Sequence, residues 1–267
     1  MTTFAEATRV VRSGDSAYAW HVPEGWAQGR GAWGGLAVAA FVGAIVDSEP
    51  DPARVVRSVS AEIAAPARVG PVTITTRLLR KGSALSLWNA MAHDLDGGLI
   101  GSLSAVLAAP RQDLPEISGW GLPGAPAVAA ADDVAVVPLR APLGPEFMQH
   151  LEFRPIDGLP LAAAQAQARG WIRLEAPVPH TSASLLALVD AWWPATLPAL
   201  DSFRPLATVN FSANLLVDPA SVPGDQPLLH VGHASGVIDG YVSETRQLWT
   251  ADGRLAVDNL QSIVLIA

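Results

Sequence analysis

Two stretches of this chain are apolar on every side. Leu36–Val46 carries no charge at all, and Ser184–Trp193 places leucine, valine and tryptophan at every helical angle around one acid, Asp190. A helix at a protein surface keeps a polar face, so both stretches predict short helices buried in a core. Pro194 stops the second, and Thr181 or Ser182, following Pro177 and Pro179, is placed to cap its start. Strand-like runs follow each helix. After the first come Val55–Ile63, Val72–Leu79, Ser83–His93 and Leu99–Ala108. After the second come Leu206–Ala213, Leu228–Ala234, Tyr241–Trp249 and Leu255–Ile266. Asp96-Gly97-Gly98 and Asp252-Gly253 sit at matching places, each before the last run of its set, and Asp-Gly between extended runs signals a hairpin.

The order helix, strand, strand, hairpin is therefore used twice. Residues 1–110 form one unit and 148–267 the other, with Leu151–Pro155 and Gly170–Glu175 as opening strands of the second. Between them, 111–147 reads as a linker, because Ala109–Gly144 is rich in proline, glycine and alanine. A short buried helix with a long antiparallel sheet curled around it is the hotdog arrangement. Two in tandem predict an α+β double hotdog with the helices Leu36–Val46 and Ser184–Trp193 at its centre.

Composition narrows the chemistry. The 267 residues are 50% hydrophobic, enough for a sizeable core. There is no cysteine, which removes a disulfide framework, a thiolate nucleophile and a cysteine-ligated metal. The net charge of −8 argues against a nucleic-acid surface. No apolar run is long enough to span a bilayer, and the N-terminus lacks the apolar core of a leader, so a cytoplasmic location is expected. Any grip on a polyanion has to be local, with Lys81 beside Arg80, and with Arg54, Arg57 and Arg68 nearby in sequence. Gly29-x-Gly31-x-x-Gly34 matches a dinucleotide-binding pattern, but His21–Gln28 before it does not read as a hydrophobic strand and no suitably spaced acid follows. There is no Gly-x-Ser-x-Gly elbow. His230 and His233 would point to opposite faces of a strand, so no metal site is expected.

Asp190 is the first candidate for chemistry, since an acid on an apolar helix is either paired or functional. In Leu206–Ser212, strict alternation would put Thr208, Asn210 and Ser212 on one face and Val209 and Phe211 on the other. Gln261 lies within the apolar last strand. These segments, in this order, resemble the acyl-CoA thioesterase II (TesB-like) family of double-hotdog proteins. Leu185–Trp193 looks like its helix motif, Leu206–Ser212 its threonine-bearing strand, and Val257–Ser262 its glutamine-bearing last strand. Gly31–Gly35 resembles its Gly-Gly helix entry, and Arg80–Ser83 its Arg-x-Gly hairpin. The chain departs from the family pattern at Asn210 and Phe211, where an Asp-His pair is usual, at Ala213–Leu216, and at Ser262.

The resemblance implies hydrolysis of an acyl-CoA thioester by water. Asp190 would be the general base, Thr208 and Gln261 would orient the water, and the backbone N–H groups of Gly34 and Gly35 would meet the oxyanion. Coenzyme A enters as part of the substrate, and no cofactor or metal is implied. Trp33, Trp192 and Trp193 are placed to line an acyl pocket. A non-catalytic acyl-CoA-binding protein and a hydratase pairing His180 with Asp190 are the alternatives, and the oligomeric state is left open.

Overall fold

The computed structural model of the chain describes residues 2–111 and 124–266. The first half runs through a short helix α1 (Phe4–Ala7), strands β1 (Val10–Arg12), β2 (Ala17–Val22), β3 (Ala27–Gln28) and β4 (Gly31–Ala32), helix α2 (Gly34–Ser48), and strands β5 (Val55–Ile63), β6 (Gly70–Lys81), β7 (Leu85–His93) and β8 (Leu99–Ala108). The second runs through β9 (Leu151–Asp157), β10 (Gln167–Leu174), helix α3 (Ser182–Asp190), β11 (Leu206–Leu215), β12 (Leu228–Ile238), β13 (Tyr241–Trp249) and β14 (Leu255–Leu265). Twelve strands form one antiparallel sheet in the order β1-β2-β6-β7-β8-β5-β11-β14-β13-β12-β10-β9, and β3 and β4 pair separately. The halves join edge to edge where β5 meets β11, with Ser60 opposite Ser212. Both helices and the inner faces of both half-sheets belong to one hydrophobic core.

The repeat extends to its irregularities. Bulges fall at Val56/Ser58 and Thr208/Asn210, at Leu78/Arg80 and Ala234/Gly236, and at Ala92/His93 and Leu248/Trp249. The two Asp-Gly turns close in the same way. Gly97 and Gly253 have φ of 80° and 85°, a region that glycine enters without a Cβ clash.

Helix α2 buries ten of its 15 residues. Helix α3 begins with a capping box, in which the Ser184 backbone N–H donates to Thr181 Oγ1 at 3.2 Å and the Thr181 N–H to Ser184 Oγ at 2.8 Å. It ends at Asp190, three residues before the expected Trp193. Pro194 disfavours helical backbone at Trp193. Arg246 Nη1 from β13 also takes the freed carbonyls of Asp190 (3.1 Å) and Trp192 (3.3 Å). Trp192 and Trp193 turn instead onto Phe153, with ring centroids 5.3 and 6.3 Å from it.

Two features differ from the sequence expectation, one near the N-terminus and one between the halves. The segment before the glycine-rich turn does contain strand. Ala17–Val22 buries Tyr18, Trp20 and Val22 alternately, and His21 and Val22 belong to it. It pairs antiparallel with β1 and β6, which no dinucleotide-binding βαβ unit does. The connecting segment is also more than a linker. Residues 112–123 lie outside the described region, but beyond them Ala125, Val128, Ala131 and Val134 pack on Trp171, Leu229 and Trp249. Farther on, Phe147 stacks on Trp33 and His150 on Trp26, at 4.7 and 3.9 Å, which clamps the chain leading into α2.

Candidate active site

Helices α2 and α3 touch at Gly35. A Cβ there would lie 2.9 Å from the carbonyl oxygen of Ala187 and 2.5 Å from the Trp33 ring, so only glycine permits this approach. The contact sets the C-terminal residue of α3, Asp190, against the N-terminus of α2. A Cβ on Gly34 would lie 3.1 Å from Asp190 Oδ2. The first turn of α2 has no acid of its own, so the carboxylate from the other half is the negative charge facing its free N–H groups and dipole.

The other carboxylate oxygen is held by a side-chain relay. Gln261 Nε2 donates to Asp190 Oδ1 at 2.9 Å and to Asn259 Oδ1 at 3.0 Å, while Thr208 Oγ1 donates to Gln261 Oε1 at 2.9 Å. The amide orientations follow from the far end. Asn259 Nδ2 donates 2.8 Å to the carbonyl oxygen of Ser212, which can only accept. That turns Asn259 Oδ1 towards Gln261 and fixes Nε2 of Gln261 on the carboxylate side. Both amide hydrogens of Gln261 are then committed. The lone pairs of Thr208 Oγ1, the second lone pair of Gln261 Oε1, and Asp190 Oδ2 remain to accept. The site presents acceptors to an incoming water from this side and donors from the N-terminus of α2.

The bulge in β11 is what brings Thr208 here. It places Thr208 opposite Ile263 and Asn210 opposite Ser262. Strict alternation, which grouped Thr208 with Asn210 and Ser212, therefore fails at Val209. Thr208 reaches the inner-face Gln261, whereas Asn210 donates 3.3 Å to the Ala61 carbonyl at the seam and Ser212 meets Ser60. Phe211 is buried in the core. Asp190 itself is 8% exposed, and Thr208 and Gly34 are half-buried, so the site opens between the start of β11 and the head of α2.

Burial pushes the Asp190 carboxyl above the usual carboxylate range. The Arg246 guanidinium, the Gln261 amide, the Gly35 N–H and the Trp33 indole all pull the other way. The indole lies close enough to act as a dipole, but its Nε1 has no acceptor at hydrogen-bonding geometry. Arg246 Nη1 stands 3.6 Å from Asp190 Oδ1. Arg246 Nε donates 2.8 Å to Glu244 Oε1, and Glu244 Oε2 accepts the Ala195 N–H at 2.8 Å. Burial likewise raises the Glu244 carboxyl. Sequence reading missed Glu244, Arg246 and Asn259. A signal for the first two exists, because Val242, Glu244, Arg246 and Leu248 alternate along β13 and all four are buried.

Other candidates lie elsewhere. His180 is buried at the head of α3 beside Ser184, at the opposite end of the helix from Asp190 and roughly 13 Å away by helical rise, so the two do not pair. Arg54 is buried, gives Nη2 to the Gly82 and Ser83 carbonyls and pairs with Asp51, so it acts as a turn clamp. Trp33, Trp192 and Trp193 are all packed inside the core. His230 is buried and His233 exposed, on opposite faces of β12. Among the described residues no cluster of three or more His, Asp or Glu side chains could hold a metal, and no helix is long and apolar enough to cross a membrane.

The shared bulges identify what stands in the first half where the second has its polar relay. Thr208 matches Val56, and the cross-strand pairs Glu244–Gln261 and Arg246–Asn259 match Trp88–Ala105 and Ala90–Leu103. All of these counterparts are buried and apolar. At these matched positions the polar relay therefore stands in the second half alone, where α3, β11, β13 and β14 assemble it against α2 of the first.

This architecture is that of a double-hotdog protein with a buried carboxylate centre at the junction of its halves. The chain belongs to the acyl-CoA thioesterase family: residues 22–109 match the model of the acyl-CoA thioesterase N-terminal domain and residues 127–265 that of the C-terminal domain. It is similar over 99% of its length, and over 98% of the other chain, to a conserved hot-dog-fold protein of unknown function from Alicyclobacillus acidocaldarius, with 26% identity and a TM-score of 0.88. An acyl-CoA thioesterase II from Mycobacterium marinum shares the fold over 99% of this chain and 98% of its own, at 16% identity and a TM-score of 0.80. None of the curated proteins matches.

Proposed function

We propose that this protein hydrolyses acyl-CoA thioesters to a carboxylic acid and free coenzyme A, with water as the nucleophile. The observation that carries the reading is the directed relay from Thr208 through Gln261 to Asp190 Oδ1, which leaves Asp190 Oδ2 facing the head of α2. A water there gives one hydrogen to Oδ2 and the other to Thr208 Oγ1 or Gln261 Oε1. No Gln261 donor is left to occupy its lone pair, which is free for the carbonyl carbon. Asp190 takes the proton as the new C–O bond forms. The backbone N–H groups of Gly34 and Gly35, in the first turn of α2, are the donors offered to the oxyanion. Collapse of the tetrahedral species breaks the C–S bond, and the departing thiolate recovers a proton from Asp190. The relay is thus an anchor for the base and an acceptor for the water.

The test is release of free thiol from a series of short to long acyl-CoA substrates, run beside a binding measurement. Turnover on at least one member is expected. Tight binding with no thiol release on any member would make this a binding protein. Water addition to an enoyl-CoA without thiol release would make it a hydratase.

A further inference from the structure

The buried ion pair on β13 has no counterpart in the first half and takes no part in the steps above. Arg246 is 2% exposed and Glu244 fully buried, yet two carboxylates share this one guanidinium. Its contacts are unequal. Arg246 Nε holds Glu244 at 2.8 Å, while Nη1 holds the backbone carbonyls of Asp190 and Trp192 and stands off from Asp190 Oδ1 at 3.6 Å. Glu244 is itself anchored from behind by the Ala195 N–H. A core arginine needed only to end a helix would require no second buried acid. A single ion pair with Asp190 would fasten the carboxylate in a tight bidentate contact and oppose its taking a proton.

We infer that Glu244 and Arg246 are positioning residues for the reaction. Arg246 fixes the end of α3 and keeps Asp190 ionised, while Glu244 draws the guanidinium back so that Asp190 still accepts a proton. The inference rests on Asp190 being the general base. The charged groups facing Asp190 are few. From β13 there are Arg246 and Glu244, and the buried His230 of β12 stacks on Trp192 next to them. Helix α2 offers only N–H groups, and β11 and β14 offer the neutral Thr208, Asn259 and Gln261. Burial holds His230 well below its ordinary range, so it stays neutral where a carboxylate titrates.

The experiment is the pH dependence of kcat for thiol release in wild type, Glu244→Gln and Arg246→Gln, alongside the ¹³Cγ titration of Asp190, assigned from its absence in Asp190→Asn. Activity needs Asp190 ionised, so it falls on the acid side. Removing the like charge of Glu244 moves that acid limb, and the ¹³C titration, to lower pH. The rate at a fixed pH on the limb rises by about three- to tenfold relative to the plateau. Removing Arg246 moves both to higher pH, with a relative loss on the order of tenfold or more. A residue that only stabilises the fold changes melting temperature and plateau rate without moving the limb. If Arg246→Gln does not fold, Glu244→Gln alone decides. Unmoved limbs and titrations, with Asp190→Asn inactive, overturn this inference and leave the general-base reading intact. An active Asp190→Asn overturns that reading instead.

Discussion

Replacing Thr208 with valine removes one hydroxyl and keeps the branched shape. In the structure this deletes the 2.9 Å donor to Gln261 Oε1, and with it one of the acceptors available to the attacking water. The strand is already bulged at this position, and valine is a good strand former, so the backbone has no reason to move. One ordinary buried hydrogen bond is worth about 0.5–1.5 kcal/mol of net stability, which sets the folding cost. The catalytic cost is separate. A water that keeps Asp190 and can still turn to Gln261 Oε1 loses only the better placed of two acceptors, about 0.5–1.5 kcal/mol or roughly 2- to 13-fold in kcat. KM should stay nearly constant, because the hydroxyl acts on water and not on the bound acyl group. Thr208→Ser restores the hydroxyl and should recover most of the rate. Steady-state thiol release by the three proteins, with melting temperatures as a fold control, reads the outcome. A Thr208→Val enzyme with wild-type kcat would show that the hydroxyl contributes nothing to the attacking water.

Three further substitutions separate packing from chemistry. Gly34→Ala puts a methyl 3.1 Å from Asp190 Oδ2 and should lower kcat with little change in melting temperature, as followed by thiol release and calorimetry. Gly35→Ala meets the Ala187 backbone at 2.9 Å and the Trp33 ring at 2.5 Å, so it should cost about 1–3 kcal/mol of stability, measured by urea unfolding, as well as activity. His230 is buried neutral against Trp192, with its acidity shifted so that the folded state resists protonation. The unfolded chain binds that proton as pH falls through about 6.5, so the stability His230 contributes is present above this pH and lost below it. Asp190 and Glu244, whose carboxyls are raised, act in the opposite sense but equally in both proteins. The stability difference between wild type and His230→Phe should therefore shrink as pH falls from 7 to 5, and a constant difference would contradict the assignment.

Much of the fold was legible because its signals are local. Val55–Ile63, Leu99–Ala108 and Tyr241–Trp249 match the observed strands residue for residue, and both Asp-Gly turns close where they were expected. What escaped depends on contacts distant in sequence. The end of α3 is set partly by Arg246, 56 residues on, and Trp192 and Trp193 leave the helix for Phe153. Alternation failed at Val209 because a bulge is a property of the pairing with β14 and not of the strand. Ala17–Val22 alternates plainly, but Pro23 and Gly25 break the pattern just past its end, so the stretch from His21 to Gln28 does not itself read as a strand. At the centre, Gln261 bonds both Thr208 and Asp190, and Gly34 and Gly35 lie at the head of α2 beside the carboxylate and the end of α3. Glu244 and Arg246 were missed because two charges in a strand read as a solvated face unless the alternation is followed through Val242 and Leu248.

The general-base role of Asp190 is the claim on which the rest depends, and Asp190→Asn tests it most directly. The change is nearly isosteric, retains an oxygen for the Gln261 donor and removes the proton acceptor. Thiol release and acyl-CoA binding should be measured on the same preparations of wild type and variant. The account predicts that kcat falls by roughly 10²–10⁴ while the affinity for acyl-CoA is nearly unchanged. An Asp190→Asn protein that turns over acyl-CoA at the wild-type rate would contradict it.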